Sequence, residues 1–122
     1  MSSAPHLVCG ERGEDLAVRV LEREGYVILA RRYRVRAGEI DIVALDGRCL
    51  VFIEVKARRS LRCGDPADAV TARKRRKICA VATDYLARHA VTAEACRFDV
   101  VTVALVEARP QVAIIRNAFD AP

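Results

Sequence analysis

Three acidic residues and one lysine fall at alternating positions around a tight turn of the chain. Glu39 and Asp41 precede the dipeptide Asp46-Gly47, and Glu54 and Lys56 follow it. Apolar runs rich in isoleucine and valine surround these residues, and Asp-Gly between two such runs is a strong signal for a β-hairpin. Because side chains two positions apart on a strand share a face, we expect all four to point to one side of this hairpin.

The length of the hairpin loop decides which residues lie opposite each other. A two-residue loop of Asp46-Gly47, the interpretation we adopt, pairs Glu39 with Glu54. A four-residue loop over 46–49 instead places Asp41 directly opposite Glu54 and leaves the same residues on the same face, whereas an unbulged loop of odd length separates them. The other face then carries only apolar side chains: Ile40, Ile42, Ala44, Val51, Ile53 and Val55.

Carboxylates grouped on one face of a sheet call for a positive charge among them. Like charges opposed across strands cost up to about 1 kcal/mol per pair, and Lys56 supplies only one cation. Three carboxylates in a mainly apolar hairpin also suit a hard divalent cation, for which Mg²⁺ is the natural candidate and Mn²⁺ a substitute. Such a cation lowers the pKa of a bound water and neutralises charge on a phosphate, while a lysine beside it orients that water or stabilises the transition state.

Asp41 followed by Glu54-Val55-Lys56 resembles the D…(D/E)xK signature of the restriction-endonuclease-like nucleases, and archaeal Holliday-junction resolvases are similar in size and layout. The chain resembles more closely the YraN family of small bacterial predicted endonucleases. Five elements in order are more specific than an isolated ExK tripeptide. They are Gly13-Glu14, Gly38-Glu39-Ile40-Asp41, Phe52-Ile53-Glu54-Val55-Lys56, Lys74 and Arg97-Phe98-Asp99-Val100.

The resemblance implies a metal-dependent endonuclease that hydrolyses phosphodiester bonds of DNA, and it leaves open whether the substrate is duplex DNA or a branched recombination or repair intermediate. The catalytic residues it implies are Asp41, Glu54, Lys56, Glu14 and Glu39, with Asp41, Glu54 and Glu14 as metal ligands. Spacing alone explains Glu14 equally well as a carboxylate favoured by the dipole at the first turn of a helix.

Basic residues lie on both sides of the acidic hairpin in three runs, at 31–36, 56–59 and 73–77. The net charge is +5, carried by 18 arginines and 3 lysines, and arginine suits bidentate contacts with phosphate. One basic run is typical of a solvated face, but three around a carboxylate cluster favour a nucleic-acid partner, above all DNA. The residues we assign to nucleic-acid binding are Arg31, Arg32, Arg34, Arg58, Arg59, Lys74 and Arg75.

The length of 122 residues predicts a single endonuclease-like domain over 1–122, with 1–9 as a loose tail. Five scattered cysteines without a CxxC pair indicate reduced thiols and no zinc site. No apolar run approaches the ~20 residues of a membrane span, and the N-terminal residues lack the features of a signal peptide. We therefore expect a cytoplasmic protein with no membrane partner.

Hydrophobic periodicity predicts the elements that position these residues. A helix is expected over 10–24, ended by Gly25, and a second helix begins at 65–66 or at Thr71 and runs to His89. Because Lys74 lies four residues before Ile78, this second helix should turn Lys74, together with Arg75, toward the carboxylates.

Strands are expected at 26–30, with a basic continuation over 31–36, in the hairpin, at 97–106 and at a sheet edge over 111–116. Arg97 and Asp99 share one face of their strand, either as an ion pair or as part of the site. The order of elements predicts an α/β (α+β) fold, a mixed sheet of about five strands with helices packed against it, in agreement with the restriction-endonuclease-like core.

Two further functions are open at this point. A non-catalytic nucleic-acid-binding module on the same fold would bind DNA without cutting it. An interaction protein whose acidic face pairs with a basic partner would bind neither DNA nor metal. Cleavage of both strands of a duplex would suit a symmetric homodimer.

Overall fold

In the computed structural model of the protein, residues 10–58, 70–89, 95–106 and 109–120 are described. They form an α+β fold with two helices and a five-stranded mixed sheet, as the sequence predicts. The elements are α1 (Gly10–Arg23), β1 (Val27–Val35), β2 (Gly38–Asp46), β3 (Cys49–Arg58), α2 (Ala72–Arg88), β4 (Ala95–Val106) and β5 (Arg109–Ile115).

The strands are ordered β1-β2-β3-β4-β5 across the sheet. Neighbouring strands are antiparallel except β3 and β4, which are parallel and are connected through α2. The basic segment 31–36 mostly continues the first strand, and β5 lies at an edge as predicted. The predicted tail at 1–9 lies outside the described residues. No helix in the described ranges is long and apolar enough to cross a membrane.

Helix α1 ends at the predicted glycine. The N–H of Gly25 donates to the carbonyl of Glu22 (3.0 Å) and the N–H of Tyr26 donates to that of Leu21 (2.9 Å), the two bonds of a Schellman motif. This motif needs a left-handed residue after the helix, and Gly25 has φ +97°. Because the chain reverses here, β1 begins at once and pairs with the hairpin.

Helix α2 begins at the later of the two predicted positions. Thr71 is its N-cap, with the side-chain hydroxyl accepting the N–H of Lys74 at 3.2 Å. At the other end the N–H of His89 donates to the carbonyl of Tyr85. The cap therefore sets the start of the helix and places the basic run 73–77 in its first turns.

The loop between β2 and β3 differs from the one we adopted. Asp46 pairs with Cys49, so the two loop residues are Gly47 and Arg48. Of the two, only Gly47 has positive φ (+62°), the pattern of a type II′ turn with glycine first, whereas an Asp-Gly loop of type I′ needs positive φ at both positions. Asp46 lies at the end of its strand, and its carboxylate accepts a hydrogen bond from Arg97 at 2.8 Å.

This shift changes the register of the carboxylates. Ile42 pairs with Ile53, so the next pair outward places Asp41 opposite Glu54. The predicted pairing of Glu39 with Glu54 is therefore wrong, and the register of the longer loop is the observed one.

Both faces of the sheet are apolar, and each is covered by a helix. On the α1 side, Ala17 and Leu21 pack with Ile42, Val51 and Ile53. On the α2 side the buried cluster includes Val43, Leu50, Phe52, Ile78, Val81 and Tyr85. The sheet therefore has a hydrophobic core on each face. Each fully buried leucine or phenylalanine in these cores contributes roughly 1.5–3 kcal/mol to folding.

One residue of the predicted apolar face lies on the opposite side. Ile40 packs in the α2 cluster, whereas Ile42 packs against α1. Their β1 partners are Arg31 and Tyr33, and Arg32 between these two has φ +52°. The expectation that Ile40 shares a face with Ile42 is wrong, because the alternation of side chains along β2 is interrupted between them, and Asp41 lies at the point where the two faces exchange.

Candidate functional site

The end of the hairpin farther from its turn brings two carboxylates together. Glu54 is only 5% exposed, and Asp41 is half-buried beside it. Asp41 Oδ2 accepts the N–H of Val55 at 2.8 Å. Burial, the negative charge of Glu54 and a side-chain hydrogen bond between Asp41 and Glu54 raise the pKa of Asp41 to about 7. The hydrogen bond from the N–H of Val55 acts in the opposite direction. The pair is therefore short of positive charge in the free protein.

A lysine from α2 contacts this pair. Lys74 Nζ lies 2.5 Å from Glu54 Oε2, and this hydrogen bond raises the pKa of the lysine. Helix α2 thus turns Lys74 toward the carboxylates, as its spacing from Ile78 predicts. Lys56 lies two residues beyond Glu54 on β3 and is half-buried, so it leaves the strand on the same side as Glu54.

Arg75 does not follow its neighbour into the site. Its Nε donates to the carbonyl of Val70 at 2.9 Å, and its guanidinium lies 5.3 Å from the ring centre of Phe119. The expectation that Arg75 points toward the carboxylates with Lys74 is wrong, because successive residues of a helix are about 100° apart around its axis.

The other two acidic residues of the predicted site are paired with arginines of β1. Buried Glu14 accepts Arg31 Nε at 2.8 Å and Arg32 Nε at 3.2 Å. Glu39 accepts Arg34 Nη2 at 2.7 Å. Across the described ranges, no three His, Cys, Asp or Glu side chains form a group that could hold a metal ion. The implied trio of Asp41, Glu54 and Glu14 is thus not assembled.

Two clefts meet at Glu39 and Asp41. One, which we call the α2 cleft, has a volume of about 570 Å³ and is lined by Gly38, Glu39, Asp41, Glu54, Thr71, Arg73, Lys74, Lys77 and Ile78. The other, the β1 cleft, has about 310 Å³ and is lined by Glu14, Arg32, Arg34, Glu39, Asp41, Val55 and Ala57. Basic side chains therefore stand on both sides of a shared acidic centre.

A model of the family described as "Uncharacterised protein family UPF0102" matches residues 13–103. The chain belongs to this family. The match agrees with the resemblance to the YraN family and spans Glu14, the hairpin and α2.

Curated UPF0102 relatives are similar over nearly their whole length. A UPF0102 protein of Symbiobacterium thermophilum is 49% identical over 113 residues, which cover 92% of this chain and 96% of the relative. One of Geobacter metallireducens is 47% identical over 111 residues, covering 91% of each. One of Rhodococcus opacus is 43% identical over 117 residues, covering 95% of this chain and 99% of the relative.

Within this UPF0102 chain, the predicted nucleic-acid-binding residues have different surroundings. Arg31, Arg32, Arg34 and Lys74 are all paired with acidic residues of the site. Arg59 and the side chain of Arg58 lie outside the described residues. Sequence reasoning missed Arg73 and Lys77 of the α2 cleft, although their spacing of four within the basic run was the available signal.

The UPF0102 match also contains Arg97 and Asp99, which form a structural network. Asp99, fully buried, accepts hydrogen bonds from Tyr26 Oη (2.7 Å), Arg97 Nε (2.8 Å) and the N–H of Asn117 (2.9 Å). Burial and Asp99 raise the pKa of Tyr26 to about 12. Since Arg97 also contacts Asp46 beside the hairpin turn, this network lies at the end of the hairpin opposite Asp41. The ion-pair interpretation is the one the structure supports.

Proposed function

We propose that this protein is a metal-dependent endonuclease that hydrolyses phosphodiester bonds of DNA. The observation that carries the proposal is the contact of Asp41 and Glu54 at a cleft with basic walls. The half-buried carboxylate of Asp41, whose pKa rises to about 7, marks a site that gains stability from an added cation. The restriction-endonuclease-like resemblance, which implies the same two residues as metal ligands, supports the proposal.

The donor set fits a hard divalent cation. Mg²⁺ takes oxygen ligands and is often held by only one or two carboxylates, with water and substrate phosphate completing its shell. Asp41 and Glu54 would hold it, and Glu14 could join them only by exchanging its bonds to Arg31 and Arg32. When bound, Mg²⁺ or Mn²⁺ supplies Lewis-acid stabilisation of the phosphate and a water of lowered pKa.

The side chains of the chain itself then position the reactants. Lys56, on the same side of β3 as Glu54, would orient the attacking water and stabilise the charge that develops on the phosphate. Lys74 balances Glu54 in the free protein and would bind a phosphate oxygen once substrate is present. Holding the water and the phosphodiester in line accounts for much of what this reaction requires from a protein.

The charge distribution supports DNA as the partner. The net charge is +5, and arginines of β1 stand along the β1 cleft. Arg31, Arg32 and Arg34 would hold backbone phosphates after exchanging their carboxylate partners. Arginine is suited to this exchange because its planar guanidinium binds carboxylate and phosphate with the same fork of donors.

A cleavage assay tests the proposal. Linear, nicked, flap and four-way-junction DNA are incubated with Mg²⁺ or Mn²⁺ and either the wild-type protein or Glu54→Gln. We expect the wild type to cut at least one substrate and the variant to be at least 100-fold slower, the cost of losing one group that stabilises the transition state. Glu22→Gln, which removes an acid from the exposed part of α1, is the matched control.

A non-catalytic nucleic-acid-binding module is the second candidate. It is favoured by one observation, that Glu14, Glu39 and Glu54 all have basic partners within the chain and are balanced without metal. It predicts no cleavage with either metal, and DNA affinity that Glu54→Ala leaves intact or increases. Such a result in the assay above would replace the nuclease proposal.

A further inference from the structure

The candidate site has basic residues on two sides, from β1 and from α2, and they differ in ion pairing in the free protein. On the β1 side, Arg32 is held by Glu14 and Arg34 by Glu39. On the α2 side, Arg73 and Lys77 are exposed and line the cleft, and among the described residues neither has an acidic partner within ion-pairing distance. Positive charge is therefore accessible on one wall and neutralised on the other.

The local electrostatics of α2 disfavour Arg73 and Lys77 unless an anion is bound. They are four residues apart, so they are neighbours on the helix surface, and like charges at this spacing repel. Arg73 is in the first turn, which contains no acidic residue and lies at the positive end of the helix dipole. A phosphate in the α2 cleft would attract both cations and the positive end of the helix dipole, and these attractions would offset the repulsion.

The packing of α2 keeps this wall close to the acidic centre. A β-carbon on Gly38 would lie 3.9 Å from Lys77 Cβ and 3.5 Å from Val81 Cγ2, so the helix packs directly over the start of β2. The stem of Lys77 therefore lies against Gly38, the residue before Glu39, and Lys77 lines the same cleft as Glu39 and Asp41. The volume of the cleft, about 570 Å³, falls within the range of small-ligand sites and can admit a segment of nucleic-acid backbone.

We propose that Arg73 and Lys77 form a phosphate-binding site that engages the nucleic-acid backbone first and without metal. The arginines of β1 engage second, when Glu14 and Glu39 release them. Lys74 differs from Arg73 and Lys77 because it is already paired with Glu54. The nature of the anion rests on the proposed function, but the accessibility of the two cations does not.

Salt-dependent DNA binding in EDTA tests this order. Fluorescence anisotropy with a labelled duplex, at several salt concentrations, compares the full chain with the double variant Arg73→Ala/Lys77→Ala. Each lost phosphate contact lowers the slope of log affinity against log salt by about 0.9 for B-DNA, so we expect a decrease of about 1.8. Arg76→Ala is the matched control, since it removes a charge from the same helix outside the α2 cleft, and Arg32→Ala/Arg34→Ala should reduce the slope by less than the α2 pair does.

An unchanged slope in the α2 double variant, or a decrease no larger per charge than that of Arg76→Ala, would overturn the inference. Thermal unfolding of the variants verifies that they fold, and loss of the Arg73–Lys77 repulsion should leave the melting temperature equal or higher. If the wild type cleaves DNA while the slope is unchanged, the phosphate site is wrong and the nuclease proposal stands. If nothing is cleaved but the slope decreases as expected, the phosphate site stands and the nuclease proposal fails.

Discussion

Lys74 Nζ lies 2.5 Å from Glu54 Oε2, so a cation from α2 contacts the carboxylate pair of the β2–β3 hairpin. The carboxylate is almost fully buried, whereas the lysine side chain is 46% exposed. A partner of this kind can leave without opening the core. The contact balances the charge of Glu54, but not that of Asp41, in the free protein, and a cation that displaces Lys74 would reach Glu54.

Lys74→Gln should lower stability and increase metal affinity. Glu54 would be left beside Asp41 without its ion pair, and we expect a loss of about 1 kcal/mol, less than for a fully buried pair because water reaches the lysine. Chemical unfolding at pH 8 in EDTA measures the first effect and calorimetric Mn²⁺ titration the second. Arg76→Gln is the control, and equal stability together with equal Mn²⁺ affinity would contradict the role given to Lys74.

Asp41 should make the metal-free protein less stable as pH rises. The pKa of Asp41 is about 7 in the folded protein and 3.8 as the unperturbed value. The folded state therefore binds the proton more tightly, and this contribution to stability is fully present below about pH 4 and is lost as pH rises through 7. In EDTA, the unfolding free energy of Asp41→Asn minus that of the wild type should increase between pH 4.5 and 8. A difference that is flat with pH, or that decreases, would be incompatible with a raised pKa.

Lys56→Ala should slow cleavage without affecting metal binding. If Lys56 orients water and stabilises the developing charge, its removal costs about 10²–10³-fold in rate. Single-turnover cleavage measures the loss, and unchanged Mn²⁺ affinity and unfolding midpoint show that the site remains assembled. A variant that cleaves at the wild-type rate would transfer the role to Lys74.

Asp99→Ala should destabilise the fold strongly. The substitution leaves Arg97 and Tyr26 without their buried acceptor and removes a bond to the backbone of Asn117. Removing one member of a buried ion pair costs about 3–5 kcal/mol, which urea unfolding can measure against the exposed-site control Asp120→Ala. The fraction that remains folded should bind DNA normally, since Asp99 lies away from the clefts, and a selective loss of DNA binding with normal stability would assign Asp99 to the site instead.

Local patterns were sufficient for the elements and for part of the site. The helix end at Gly25, the cap at Thr71 and the side of the hairpin that carries Glu54 all follow from residues within a few positions of one another. The same applies to Lys74, whose direction is set by its spacing from the buried Ile78. The side-chain periods of strands (2 residues) and helices (3.6 residues) involve only residues close in sequence, so these features can be predicted from local patterns.

The hairpin register was not predictable in this way. Asp46 stays paired in the observed register, and its partner Arg97 comes from a strand about fifty residues further along the chain. The exchange of faces between Ile40 and Ile42 lies beside Arg32, which has positive φ in the neighbouring strand. Both features involve residues of other strands, which no local pattern contains.

The sequence by itself determined the α+β fold, the family and the residues from which a carboxylate site can be made. Only the tertiary structure decided the pairing, placing Glu14 on Arg31 and Arg32, Glu54 on Lys74, and leaving Arg73 and Lys77 accessible. Residue type gives the charge of each side chain, and periodicity gives the face of the strand or helix on which it lies. Ion pairing acts over a few ångströms between segments far apart in the chain, so it is settled only when the helices dock on the sheet.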